Sequence, residues 1–340
     1  MKSVLQIGLW LCLSTLSFFS LFACAENKEK ETGKVQVIES VQETGAEALH
    51  KEMKTFTYAV KGTDTLELDL YLPQGWNLNS SPVVLFVHGG GFYSGTRKED
   101  NIHHFCDSLS DCGFAVANMS YRLYLKGQSF HCDQPNAEKI MAFQVCVNDI
   151  RSATSYLIDQ SADYRLDTAA IHLVGSSAGA EAALHAAYWP NATMNLDIQA
   201  LSNDFKYASI SSFAGAIVDT SLITKTSMIP TLMYHGTCDP LVPYASAPHH
   251  YCDPSTSGAL MLHGSKSIKE RLEHLNGDFF LVSTCGAQHG QASYPIVHDI
   301  PLVVSFFEAA LRGEKMQVHE IRQGSTKPCR YGGTYSECED

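Results

Sequence analysis

The segment Gly175-Ser176-Ser177-Ala178-Gly179 sets a serine among small residues at fixed spacing, where a short strand-like run, Ile171-His172-Leu173-Val174, gives way to an alanine-rich stretch. A chain that reverses from strand to helix within about two residues strains the serine backbone, and large side chains at the flanking positions would clash. Glycine at 175 and 179 meets that demand. The turn lifts the Ser177 hydroxyl off the sheet and sets it at a helix N-terminus, with the Ala178 amide aimed at any oxygen gaining charge beside it. A free serine hydroxyl is a poor nucleophile. An imidazole must take its proton, and a buried carboxylate must fix the tautomer of that imidazole and stabilise its charge. The five-residue pattern alone also occurs in small-residue turns without chemistry; its setting between a strand and a helix is what raises it above that reading.

Candidates for the acid and the base follow Ser177 in the chain. Asp239 stands in a turn with Pro240 and Pro243, just after the strand-like Thr231 to Tyr234. His289 comes after the strand-like Phe279 to Ser283. Both are placed at the C-terminal edge of a parallel sheet, where such sheets bind ligands. Asp278 precedes its strand and belongs to the opposite edge, and His298 lies next to the last helix, so they are the weaker acid and base. Taken singly, Asp239 reads as a turn former and His289 as a surface residue. Three consecutive glycines after His88, in His88-Gly89-Gly90-Gly91-Phe92, let the backbone pass close to a ligand and present its amides. The pair His249-His250 has no further ligands at metal spacing and reads as a solvated loop. No CxxC pair occurs, and no metal or cofactor is called for.

These residues need a frame. Pro82 opens the uninterrupted apolar run Val83 to Val87, the pattern of a strand buried on both faces. Thr55 to Val60 and Thr65 to Tyr71 alternate around Lys61-Gly62-Thr63-Asp64, which predicts a hairpin at a sheet edge. Strands at Phe114 to Asn118, Ala208 to Ala216, Thr231 to Tyr234 and Phe279 to Ser283 alternate with helices. The helices are predicted over 99–112, 136–160, 178–188, 267–276 and 300–312. That alternation predicts an α/β fold, a mostly parallel sheet with helices on both faces.

With HGGGF at 88–92, SYRL at 120–123, Asp149 before the nucleophile, GSSAG at 175–179, HGTCDPLVP at 235–243 and QHG at 288–290, the chain resembles the hormone-sensitive-lipase and bacterial carboxylesterase branch of the α/β-hydrolases. The resemblance covers about Val83 to Arg312. It implies a Ser177, Asp239, His289 triad, oxyanion donors at Gly90, Gly91 and Ala178, and a carboxylic-ester hydrolase working through an acyl-enzyme. Exported esterases of this kind often remove acetyl or feruloyl groups from plant polysaccharides, so short-chain acyl or carbohydrate-linked esters are the expected substrates. The chain departs from the pattern in three places. Tyr124-Leu125-Lys126-Gly127 follows SYRL instead of Ala-Pro-Glu. Nothing before Val83 supplies a helical cap, so no large cap domain is expected. A Pro-, Ser- and His-rich insertion, Ala245 to Gly264, follows the acid and should overhang the site. An amidase or peptidase with the same triad is the alternative enzyme, although a peptidase of this fold normally carries a large extra domain. A binding protein on this scaffold should lack a triad member.

The 340 residues, 45% hydrophobic and only 18% charged, suffice for one large domain and are thin for two. A net charge of -12 argues against nucleic acid as a partner. Lys2 followed by the uncharged run Val4 to Phe22 reads as an export leader. It ends in Leu21-Phe22-Ala23-Cys24, which resembles the lipobox of bacterial lipoproteins, so Cys24 is the expected lipidation site, with an outer-membrane address and plain secretion as the alternative. The division is then a leader 1–24, a charged tether 25–54, the main domain 55–312 and a polar surface tail 313–340. Of the 11 cysteines, Cys12 and Cys24 belong to the leader, and the rest are odd in number. Cys238 is expected to pair with Cys252, with Cys285 as the alternative partner and Cys132–Cys146 as a further pair. Cys106 and Cys112, about 9 Å apart along one helix, are too distant to join.

Overall fold

A computed structural model describes residues 52–190, 201–202, 204–325, 328–331 and 335–338. The leader, Cys24 and all of the expected tether except residues 52–54 lie outside them. In chain order the strands are β1 (Glu52–Lys61), β2 (Asp64–Leu72), β3 (Ser81–Val87), β4 (Ala115–Met119), β5 (Leu166–Ser176), β6 (Ser209–Phe213), β7 (Ala216–Ile217), β8 (Thr231–Gly236), β9 (Ser246–Pro248), β10 (Met261–Gly264), β11 (Phe279–Cys285) and β12 (Gln317–Gln323). The helices are α1 (Asp100–Asp111), α2 (Asn136–Asp159), α3 (Ser161–Tyr164), α4 (Ala178–Tyr188), α5 (Ser265–Leu275), α6 (Tyr294–His298) and α7 (Ile300–Leu311).

Nine strands form the main sheet in the order β1-β2-β4-β3-β5-β6-β8-β11-β12. β1 and β2 form the expected antiparallel hairpin at one edge, and β2 meets β4 antiparallel. Every pairing from β4 to β12 is parallel. The apolar run in β3 explains its central place. Val83, Leu85 and Val87 enter one core with Phe143 of α2 and Ala182 of α4. Val84 and Phe86 point the other way, into a second core with Phe105 of α1 and Phe307 of α7. The two-residue period of a strand thus fills both layers, which is why β3 shows no polar alternation. Replacing Phe86 by alanine would remove about 3–5 kcal/mol of packing.

Two expectations are corrected here. The segment after Gly313 is more than a surface tail, because Gln317–Gln323 pairs in parallel register with β11 and extends the sheet. It does so as an edge strand with mostly exposed side chains, so it carries no apolar period to reveal it. The tether likewise ends earlier than residue 54, since Glu52 already pairs with Leu72. The insertion after Asp239 supplies β9 and β10, which pair antiparallel with each other on either side of a turn at His249–Tyr251, and β10 also pairs antiparallel with β7.

Candidate active site

Ser177 stands between the end of β5 and the start of α4 with φ 53° and ψ -123°, a backbone conformation that L residues rarely adopt. Its amide is held by Phe213 O at 2.8 Å, and its carbonyl receives the amides of Ala180 and Glu181, which begins the helix. A Cβ on Gly179 would lie 2.2 Å from Val87 O, so only glycine lets α4 start this close to β3. The turn thus stores strain that the sheet, the helix and the packing of Gly179 together hold in place.

The expected partners converge on this turn. Ser177 Oγ lies 2.8 Å from His289 Nε2, and His289 Nδ1 lies 2.7 Å from Asp239 Oδ2. Asp239 is fully buried, and its Oδ1 accepts the amides of Leu241 and Val242 at 2.9 and 3.1 Å. Burial by itself would raise the pKa of this carboxyl. Hydrogen bonding to His235 and His289, with the charge interactions that accompany it, outweighs burial and holds the group well below the usual carboxylate range. His235 sits 3.5 Å from Asp239 Oδ2 and is itself tied to Ser265 Oγ and Val242 O. The rivals lie elsewhere: His298 rests on Tyr294 in α6, and Asp278 binds Lys315 and the Met316 amide at the far end of β11.

The glycine loop lies against the Ser177 turn: a Cβ on Gly89 would stand 3.2 Å from Ser177 Cβ. Gly90 has φ 118°, and a Cβ there would fall 2.0 Å from Ser94 O, so this position requires glycine. Tyr121 Oη donates to the carbonyls of His88 and Gly89 at 3.0 and 3.2 Å and pins the loop. The next residue, Arg122, forks onto Asp149, which also accepts the Arg122 amide. The SYRL and Asp149 landmarks are therefore one device that fixes the glycine loop. Among the described residues, no carbonyl or side chain accepts the amides of Gly90, Gly91 or Ala178. These three residues line one cleft of about 500 Å³ together with Ser177 and His289. The arrangement can pass the Ser177 proton to His289 while amides receive a developing oxyanion.

The sequence reading missed three parts of the site. Ser176 has a role, since its Oγ donates to Ala292 O at 2.8 Å and ties the turn to the segment after His289. His249 and His250 are no solvated loop. His249 is 2% exposed, and both line the cleft, because the insertion folds back over α4, where His249 lies 3.5 Å from Glu181. Glu181, fully buried in α4, also lines the cleft. A lone carboxylate in the alanine-rich helix Ala178–Tyr188 was the signal available for it. Among the described residues, no group of three or more His, Cys, Asp or Glu side chains is placed to hold a metal.

The disulfides also differ from expectation: Cys132–Cys252, Cys238–Cys329 and Cys285–Cys338. Cys146, an expected partner of Cys132, is instead a buried thiol on the core face of α2. Cys252 is carried away from Cys238 by the insertion turn. Cys238 and Cys285, at adjacent strand ends, each take a partner from the segment beyond β12.

Residues 68–228 match the protein family described as BD-FAE. Esterase 2 of the planctomycete Thermogutta terrifontis, solved with butyrate bound, superposes with a TM-score of 0.55 at 18% identity, covering 77% of this chain and 94% of that one. The same esterase phosphorylated by paraoxon superposes with a TM-score of 0.52 at 20% identity, over 76% and 91% of the two chains. Its propionate-bound form gives a TM-score of 0.55 at 17% identity, over 77% and 94%. This chain has the α/β-hydrolase fold.

Proposed function

We propose that the protein is a serine carboxylic-ester hydrolase acting through a Ser177 acyl-enzyme. The observation that carries this reading is the hydrogen-bond chain from Ser177 Oγ through His289 to buried Asp239, opening on a cleft with three unengaged amides. Ser177 Oγ attacks the ester carbonyl carbon as its proton passes to His289 Nε2. The carbonyl π pair moves to oxygen, which the amides of Gly90, Gly91 and Ala178 receive. When that pair returns, the ester C–O bond breaks, and the alcohol leaves with the proton from His289. Water, deprotonated by His289, then repeats the sequence on the acyl-enzyme and releases the acid and free Ser177.

Short acyl groups and carbohydrate-linked esters are the substrates we favour. The similarity to an esterase solved with butyrate and with propionate supports the first, and the resemblance in sequence to exported carboxylesterases supports the second. The test is a panel of p-nitrophenyl esters from acetate to palmitate beside acetylated and feruloylated sugars and matched amides. Turnover that is fastest on short or sugar-linked esters supports the reading. Turnover of amides alone would overturn it.

The same proposal places the protein outside the cytoplasm, held by lipid at Cys24. The charged start, apolar run and Ala23-Cys24 junction support this, as do three disulfides, which persist in oxidising compartments. Cys24→Ser should release the protein from the membrane fraction; a mature N-terminus elsewhere with no lipid mass would leave plain secretion.

A further inference from the structure

Four residues beyond the nucleophile, Glu181 is the one carboxylate in α4 and is 1% exposed. Burying a carboxyl is costly unless it is paired, and an apolar residue would pack there more favourably. Among the described residues, nothing meets its Oε1 in hydrogen-bond geometry. His249 Nε2 lies 3.5 Å from it. The other nitrogen of that ring, Nδ1, is engaged by His250 Nδ1 at 3.2 Å, and the edge of Phe130 fixes the ring plane at 4.8 Å. Both Glu181 and His249 line the cleft that holds Ser177.

The wall that presents His249 is rigid. Cys132–Cys252 staples the insertion to the segment before α2. Lys139 Nζ, fully buried, donates to Gly258 O at 2.8 Å, and the Asn136 amide donates to Ser257 O at 2.8 Å. Burial pushes the Glu181 carboxyl well up, the negative charge of Asp239 adding to this and Lys139 opposing it. Burial pushes the His249 imidazole well down. Burial thus disfavours charge on both groups, and both bring polar atoms to the cleft that holds Ser177.

We propose that Glu181 and His249 form a subsite that takes a hydroxyl group of the substrate next to the scissile ester. The inference rests on the reading of Ser177 as the nucleophile and adds the group that the cleft selects. A hydroxyl donates and accepts at once, so it satisfies both members of the pair. An alkyl group in the same place leaves both unpaired in a low-dielectric site, which is how a polar pocket rejects a deoxygenated analogue. The hydroxyl belongs either to the alcohol half or to the acyl half of the ester.

Two matched pairs of esters test this on the full-length protein. For the alcohol half they are 2-hydroxyethyl acetate and n-propyl acetate; for the acyl half, methyl 3-hydroxybutyrate and methyl butyrate. The wild-type kcat/KM should favour the hydroxylated member of one pair by about 10-fold or more, and that pair identifies the half. Glu181→Leu should reduce the ratio to near one, and Glu181→Gln, isosteric with the neutral acid, should retain it. Equal kcat/KM within both pairs for the wild type overturns the subsite without recourse to any variant, so a variant that fails to fold offers no escape. A ratio kept by a folded Glu181→Leu protein overturns it as well. Hydrolysis of none of the four esters by the wild type would instead remove the ester-hydrolase reading on which the subsite rests.

Discussion

Cys238 is disulfide-bonded to Cys329, so the residue preceding Asp239 is anchored to the segment beyond the last strand of the sheet. Cys285–Cys338 does the same for the end of β11, four residues before His289. The C-terminal segment thus braces both loops that carry His289 and Asp239. Changing Cys238 and Cys329 together to alanine should lower stability by about 2–4 kcal/mol, measured by urea unfolding. It should also lower kcat, because the Asp239 turn loses its tether. Unchanged stability and unchanged kcat would show that the bond braces nothing.

The acid and the base should be separable by their magnitudes. His289→Ala should reduce kcat by about 10⁴ to 10⁶, and Asp239→Asn by about 10³ to 10⁴, because the oxyanion donors and the imidazole survive the second change. His298→Ala should stay within about twofold of wild type, since surface substitutions away from a site have small effects. Steady-state kinetics on one short-chain ester distinguishes these cases. A severe loss in His298→Ala with a mild one in His289→Ala would reassign the base.

The depressed pKa of Asp239 fixes the sign of a pH effect. A carboxyl held below its unfolded value of about 3.9 contributes stability that is fully present above that value and lost as pH falls through the folded one. Asp239 therefore stays ionised throughout the neutral range, and any fall in activity between about pH 7 and 5 reports an imidazole instead. The stability deficit of Asp239→Asn against wild type should not shrink above about pH 5 and should shrink below about pH 4. Urea unfolding at pH 3, 5 and 7 checks this; a deficit that already shrinks between pH 7 and 5 would contradict it.

Ser176→Ala removes the bond to Ala292 O. The loss should be about 1 kcal/mol of stability, with a fall in kcat of a few fold, since the turn and the His289 segment are then less firmly joined. Wild-type kcat and stability in this variant would make the contact incidental.

Much of this architecture was legible before any coordinates. The apolar run at 83–87 marked a central strand, because a strand buried on both faces shows no polar alternation, and the mostly apolar 171–174 marked another. The strained turn at Ser177 required small neighbours that the sequence shows directly. Chain order and strand ends selected Asp239 and His289 over Asp278 and His298. What escaped were relations between distant segments. β12 is exposed and without apolar period, so nothing local announced it, and with it went both disulfides of the C-terminal segment. His249 looked solvated because its burial depends on where the insertion folds. Nothing local could reveal the bond of Ser176, because its partner, Ala292, lies 116 residues away.

The central claim is that Ser177 Oγ is the attacking atom. Its most direct test is labelling by a fluorophosphonate probe, read by intact mass, on wild type and Ser177→Ala. Wild type should gain one adduct, mapped to Ser177, and lose ester hydrolysis as it does so. Ser177→Ala should stay folded, take no adduct and lose about 10⁴ to 10⁶ in kcat. An adduct on another residue, or a folded Ser177→Ala protein that still turns over ester, would contradict the account.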